Sequence, residues 1–98
     1  MTYQEKRDFV YQSIKLVALY EQLAEECAEL CQATLKMTRS LRGDNPTPIK
    51  WDEARKAIEE EYTDVELCAD ILGLKSNPYI ATEKLDRWVE RIKEKEEE

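Results

Sequence analysis

The chain has 98 residues, 38% of them charged, with 22 acidic against 15 basic side chains and a net charge of −7. This length makes one domain, 1–98, able to bury only about two-thirds of its unfolded surface, so a second subunit would help to complete the core. The acidic balance repels a phosphate backbone and argues against a nucleic-acid partner. No apolar run approaches a membrane span and no leader-like segment opens the chain, so the expectation is a cytoplasmic protein with no membrane partner.

Helix breakers are few and clustered. Thr2-Tyr3-Gln4-Glu5 has the form of a capping box and opens a first helix. The patch Val17-Ala18-Leu19-Tyr20 is β-branched and aromatic, a plausible break before a second, Glu-rich helix. Gly43 is suited to cap that helix, and Gly43 to Pro48 reads as a loop. A third helix follows from Ile49 and closes near Gly73. Asn77 and Pro78 then cap and open a last helix, expected from Tyr79 to about Lys93, with 93–98 as a charged tail. Nothing reads as a strand. The expected fold is all-α, a compact bundle of about four helices whose core is completed by oligomerisation.

Three cysteines, Cys27, Cys31 and Cys68, fall inside helical patterns without CxxC spacing, and the chain has no histidine. They read as small buried hydrophobes rather than disulfides or zinc ligands.

The acidic residues are less uniform than their number suggests. Glu26 and Glu29 lie three apart, as do Glu61 and Asp64. On a helix that spacing puts both carboxylates of a pair on one face. In the third helix Ala54, Ile58, Glu61, Val65, Cys68 and Leu72 follow a core-facing seam, and Glu61 sits in its middle. The second helix has a candidate seam at Leu23, Cys27, Leu30, Thr34, Met37 and Leu41, with Glu26 beside it. A carboxylate turned toward a core costs several kcal/mol unless a cation, a shared proton or a metal compensates it. For Glu61 a salt bridge to Arg87 or Lys84 is one compensation. A hard divalent cation shared by both pairs is the other, since oxygen-rich clusters take Mg²⁺ and Mg²⁺ recruits phosphates. Glu53, Glu59, Glu66, Glu90 and the tail acids read as solvated faces.

At these residues the sequence resembles the MazG-like all-α nucleoside triphosphate pyrophosphohydrolases, particularly short phage-type members. The resemblance is carried by Glu25-Glu26-Cys27-Ala28-Glu29 and Glu61-Tyr62-Thr63-Asp64, with Gln22 to Ala33 around the first and Glu59 to Leu72 around the second. Lys84-Leu85-Asp86-Arg87-Trp88-Val89-Glu90-Arg91 resembles the family's closing helix. The resemblance covers most of the chain from about Tyr20. It implies Mg²⁺-dependent hydrolysis of a nucleoside or deoxynucleoside triphosphate to the monophosphate and pyrophosphate, with Mn²⁺ as a substitute ion. It implies Glu26, Glu29, Glu61 and Asp64 as metal ligands, Lys84 and Arg87 as triphosphate contacts, and a homodimer or homotetramer. Glu25 and Glu61 are the catalytic candidates, Glu25 by adjacency alone. Thr82 stands where relatives often carry asparagine. Ala57 stands where some carry lysine, with Lys56 one step out of register.

Trp51, Tyr62, Tyr79 and Trp88 offer faces for a base, although aromatics at helical spacing more often belong to a core. A ferritin-like di-iron site needs Glu-x-x-His on two helices and has no histidine to use here. A non-enzymatic helical interaction module is the main rival reading. A degenerate family member that binds nucleotide without hydrolysing it lies between the two.

Overall fold

The computed structural model describes residues 1–44 and 46–98; Asn45, within the expected 43–48 loop, lies outside them. As expected, the fold is all-α. The helices are α1 (Tyr3–Ser13), α2 (Leu16–Arg42), α3 (Trp51–Ile71) and α4 (Pro78–Glu97), with no strand among the described residues.

The helix ends follow from local chemistry. Thr2 and Glu5 form the expected reciprocal capping box, with Glu5 N–H donating to Thr2 Oγ1 at 3.1 Å and Thr2 N–H to Glu5 Oε1 at 3.0 Å. Hydrogen bonding from the Thr2 backbone N–H, and after it from the Thr2 side chain, holds the Glu5 carboxyl below its ordinary pKa. The break after α1 falls at Ile14 and Lys15, both extended, and not in the 17–20 patch. Val17 to Tyr20 instead form the first turns of α2, where Leu19 is buried. Burial of Leu19 outweighs the weak helix preference of its neighbours. Gly43 caps α2 at φ 70°, a left-handed conformation that favours glycine. At the end of α3, Gly73 N–H donates to Asp70 O and Leu74 N–H to Ala69 O, a Schellman closure around Gly73 at φ 74°. Asn77 caps α4 through Oδ1, which accepts from the backbone of Tyr79 and Ile80. α4 then runs on to Glu97 rather than stopping near Lys93. Alternating Glu and Lys are strong helix formers, and Lys93 and Glu97 stand one turn apart.

α2 and α3 pack lengthwise as an α-hairpin, and α1 leans on α3. Arg7 and Asp70 tie α1 to α3 by an ion pair at 2.6 Å, and the Asp70 carboxylate raises the Arg7 guanidinium pKa still further. α4 packs extensively against none of the others. Only Leu19, Ala33 and Ala54 are buried among the described residues. The radius of gyration is 18.0 Å, against about 13 Å for a compact chain of this length. Trp51, Tyr62, Tyr79 and Trp88, which helical spacing assigns to a core, are all exposed.

Nothing lies within 4 Å of a Cβ added at Gly73, so its only penalty there is the positive φ. Gly73→Ala is expected to lower unfolding free energy by about 1 kcal/mol, measured by urea denaturation. An unchanged midpoint would contradict this account of the α3 terminus.

Candidate functional site

The hairpin brings the two carboxylate pairs to one place. Glu26 and Glu29 come from the middle of α2, and Glu61 and Asp64 from the middle of α3. Each offers an oxygen, and these four oxygens all lie within 4.8 Å of one another. Glu26 and Glu61 are half-buried, whereas Glu29 and Asp64 are exposed. The inner pair therefore forms the floor of the cluster and the outer pair its open rim.

Glu61 stands where its seam predicts. Ala54 is buried, and Ile58, Glu61, Val65, Cys68 and Leu72 are half-buried. In α2 the observed face is different from the expected one. It runs Leu19, Leu23, Glu26, Leu30, Ala33, Met37, whereas Cys27, Thr34 and Leu41 are exposed. The face is turned by roughly 40° at 3.6 residues per turn, which moves Glu26 from beside the seam into it. Glu26 and Glu61 are thus equivalent positions on two facing apolar stripes.

Burial leaves a specific polar deficit. Oε2 of Glu26 and Oε2 of Glu61 are shielded from solvent and accept no hydrogen bond. The salt bridge from Arg87 or Lys84 to Glu61 is not formed. The other Glu26 oxygen, Oε1, accepts a hydrogen bond from Gln22 Nε2 at 2.7 Å. Gln22 thereby leaves Oε2 as the free end of the carboxylate. Sequence reasoning passed over Gln22, although an amide four residues before a seam carboxylate is a readable i,i+4 pairing.

Two shielded, unpartnered carboxylate oxygens beside two exposed ones suit a hard divalent cation, which takes oxygen ligands from carboxylates and keeps waters on its open side. At 4.8 Å two unit charges repel by roughly 1 kcal/mol in water and about 3 to 4 kcal/mol at an effective dielectric of 20. Burial pushes the Cys68 thiol above its usual pKa, and the charges of Glu26, Asp64 and Cys27 push it further. Cys68 is consequently a neutral thiol at pH 7, beside the cluster but not a soft ligand in it.

The remaining expected site residues lie elsewhere. Glu25 is exposed and outside the cluster. Lys84 and Arg87 line a groove on α4 with Trp88, Arg91, Ile92 and Lys95. Because α4 does not pack extensively on the hairpin, one chain does not bring these cations to the carboxylates.

Comparison of the chain with protein-family models, curated proteins and solved structures finds no match. Among the described residues, no helix is long and apolar enough to cross a membrane.

A cation that binds only the folded cluster is expected to raise stability by about 2.7 kcal/mol at a hundredfold excess over its Kd. The melting temperature in Mg²⁺ or Mn²⁺ should therefore exceed that in chelator by several degrees. Glu61→Gln should abolish the difference while stabilising the metal-free protein, since it removes one of four crowded charges. Gln22→Leu should shrink the difference without abolishing it. Identical melts of the native chain with and without cation would refute a metal role for the cluster.

Proposed function

We propose that the protein is a divalent-cation-dependent nucleoside triphosphate pyrophosphohydrolase, with Mg²⁺ as its usual ion and Mn²⁺ as a substitute. The observation that carries this reading is the meeting of Glu26, Glu29, Glu61 and Asp64, with two shielded oxygens that have no partner in the chain. The resemblance to the MazG-like enzymes at the same residues supports it.

Glu26, Glu29, Glu61 and Asp64 would hold the cation. A triphosphate carries close to four negative charges, and so do these carboxylates, so the two approach only across a bridging cation. Bound there, the cation would polarise the α-phosphoryl group and supply charge stabilisation for in-line attack by water. The water oxygen bonds to the α-phosphorus, and the bond from that phosphorus to the bridging oxygen breaks. Pyrophosphate then leaves, with the nucleoside monophosphate as the other product.

The chain's own residues divide the remaining work. Glu26 and Glu61 are fixed on facing helices and set the depth of the site. Glu29 and Asp64 stand at its rim, where they can orient the attacking water. Glu25 is the adjacent carboxylate offered as acceptor of the water proton. Lys84 and Arg87 make no ion pair among the described residues and are free to take phosphate oxygens. The protein is expected to work as a homodimer or homotetramer, consistent with the large apolar side chains that one chain leaves exposed.

Incubation with a full panel of NTPs and dNTPs in Mg²⁺ or Mn²⁺ is expected to release pyrophosphate and monophosphate from at least one of them. Glu61→Gln should lower kcat at least a hundredfold, and Lys84→Ala should chiefly raise KM. No turnover on any panel member would overturn the enzymatic reading. Cation-dependent melting without turnover would instead mark a nucleotide-binding protein, and neither effect a helical interaction module.

A further inference from the structure

The end of the hairpin where α2 gives way to α3 carries a charge opposite to that of the chain. Between positions 36 and 56 stand Lys36, Arg39, Arg42, Lys50, Arg55 and Lys56 against Asp44, Asp52 and Glu53. The segment is net +3 in a chain of net −7. All six cations are exposed, and none makes an ion pair among the described residues. Two of the three acids, Asp52 and Glu53, occupy the first turn of α3, where they offset the positive end of the helix dipole.

The arrangement of these cations selects the kind of partner. Lys36, Arg39 and Arg42 follow at intervals of three, which spreads them over the flank and outer side of α2. Arg55 and Lys56 directly follow the buried Ala54 and so lie on the flank and outer side of α3. The positive charge therefore surrounds the hairpin end. Beside it two large apolar side chains stand in the open, Leu41 at 68% and Trp51 at 52% exposure. A ring of cations around an apolar apex suits a plane met end-on. A peptide or a nucleic-acid strand would lie along one side and meet only part of the ring. Arg42 also stands 13 residues beyond Glu29 on the same helix, roughly 20 Å at 1.5 Å per residue. That is about twice the screening length at physiological salt, so a surface at the apex meets the local +3 and not the carboxylate cluster.

We infer that the α2–α3 apex is a docking surface for an anionic lipid bilayer. Trp51 and Leu41 enter the headgroup region, where an indole is well placed, and the cations around them face the negative lipids. The contact is peripheral and needs no spanning helix, of which there is none among the described residues. It departs from the expectation of no membrane partner, which rested on the lack of a spanning run. It stands apart from the catalytic reading, since it uses none of the cluster carboxylates.

Flotation of the full chain with vesicles tests the inference, in chelator so that no metal bridges carboxylate to lipid. The probe vesicle has equal parts of phosphatidylglycerol and phosphatidylcholine, and the control is phosphatidylcholine alone. The native chain is expected to float with the anionic vesicles at low salt, to stay in solution with the neutral ones, and to be released by added salt. Arg39→Glu/Arg42→Glu should lower partitioning at least about tenfold, since each basic residue near such a surface contributes about fivefold. Circular dichroism checks that its helicity is retained. In Trp88→Phe the remaining indole is Trp51, and its emission is expected to move to the blue on anionic vesicles. That readout needs no change of charge at the apex. No flotation of the native chain with anionic vesicles would overturn the inference, as would equal flotation with neutral ones or an unmoved Trp51 emission. A folded double charge variant that partitions like the native chain would place the lipid contact elsewhere and overturn it too. Binding of a single-stranded oligonucleotide, with none to vesicles, would assign the apex to nucleic acid instead.

Discussion

Four negative charges drawn to within 4.8 Å of one another on facing helices are the constraint to which the rest of this structure answers. Helical spacing alone explains why each pair shares a face, and packing of α2 along α3 explains why the faces meet. Neither explains why a chain would put carboxylates at the centres of its two apolar stripes, where they repel each other and lose water. Two oxygens, one on Glu26 and one on Glu61, are shielded and have no partner. A basic side chain at this spot would settle the charge, yet the described ion pair, Arg7 with Asp70, lies between α1 and α3 and leaves the cluster bare. Hence a cation is the compensation we propose, and phosphate chemistry follows from what such a cation attracts.

The cluster also shapes the fold around it. Charges at the middle of a seam interrupt its apolar area, so α2 and α3 hold each other with small and medium side chains above and below the acidic layer. Leu19, Ala33 and Ala54 are buried there, and α1 adds one ion pair and little else. Such a hairpin has little stability to spare. The radius of gyration of 18.0 Å and the exposed Trp51, Tyr62, Trp88 and Ile92 describe a chain whose apolar surface exceeds what its own core accommodates.

Much of this was legible in the sequence, for identifiable reasons. The Thr2 capping box, Gly43 and the Asn77-Pro78 start are signals written in backbone hydrogen bonding, and each holds. The place of Glu61 was legible because the α3 stripe has unambiguous neighbours such as Ile58 and Val65. The α2 stripe was misjudged because Cys27 and Thr34 are small and tolerate either environment, as does Ala33. Periodicity could not choose between them, and packing against α3 decided for Glu26 and Ala33. The break at Ile14 and Lys15 carries no glycine or proline, so propensity pointed a few residues downstream. The aromatics misled for another reason: helical spacing shows that a residue faces something, not whether that surface belongs to the same chain. Gln22 was missed because its role lies in one hydrogen bond to Glu26 rather than in any pattern.

The central claim is that these carboxylates enclose a divalent ion, and its most direct test is anomalous scattering from crystals grown in Mn²⁺. The account predicts a manganese peak within ligand distance, about 2.2 Å, of oxygens from Glu26, Glu29, Glu61 and Asp64. A map with no peak there, or with the four side chains parted and neutralised by lysine or arginine, would contradict it.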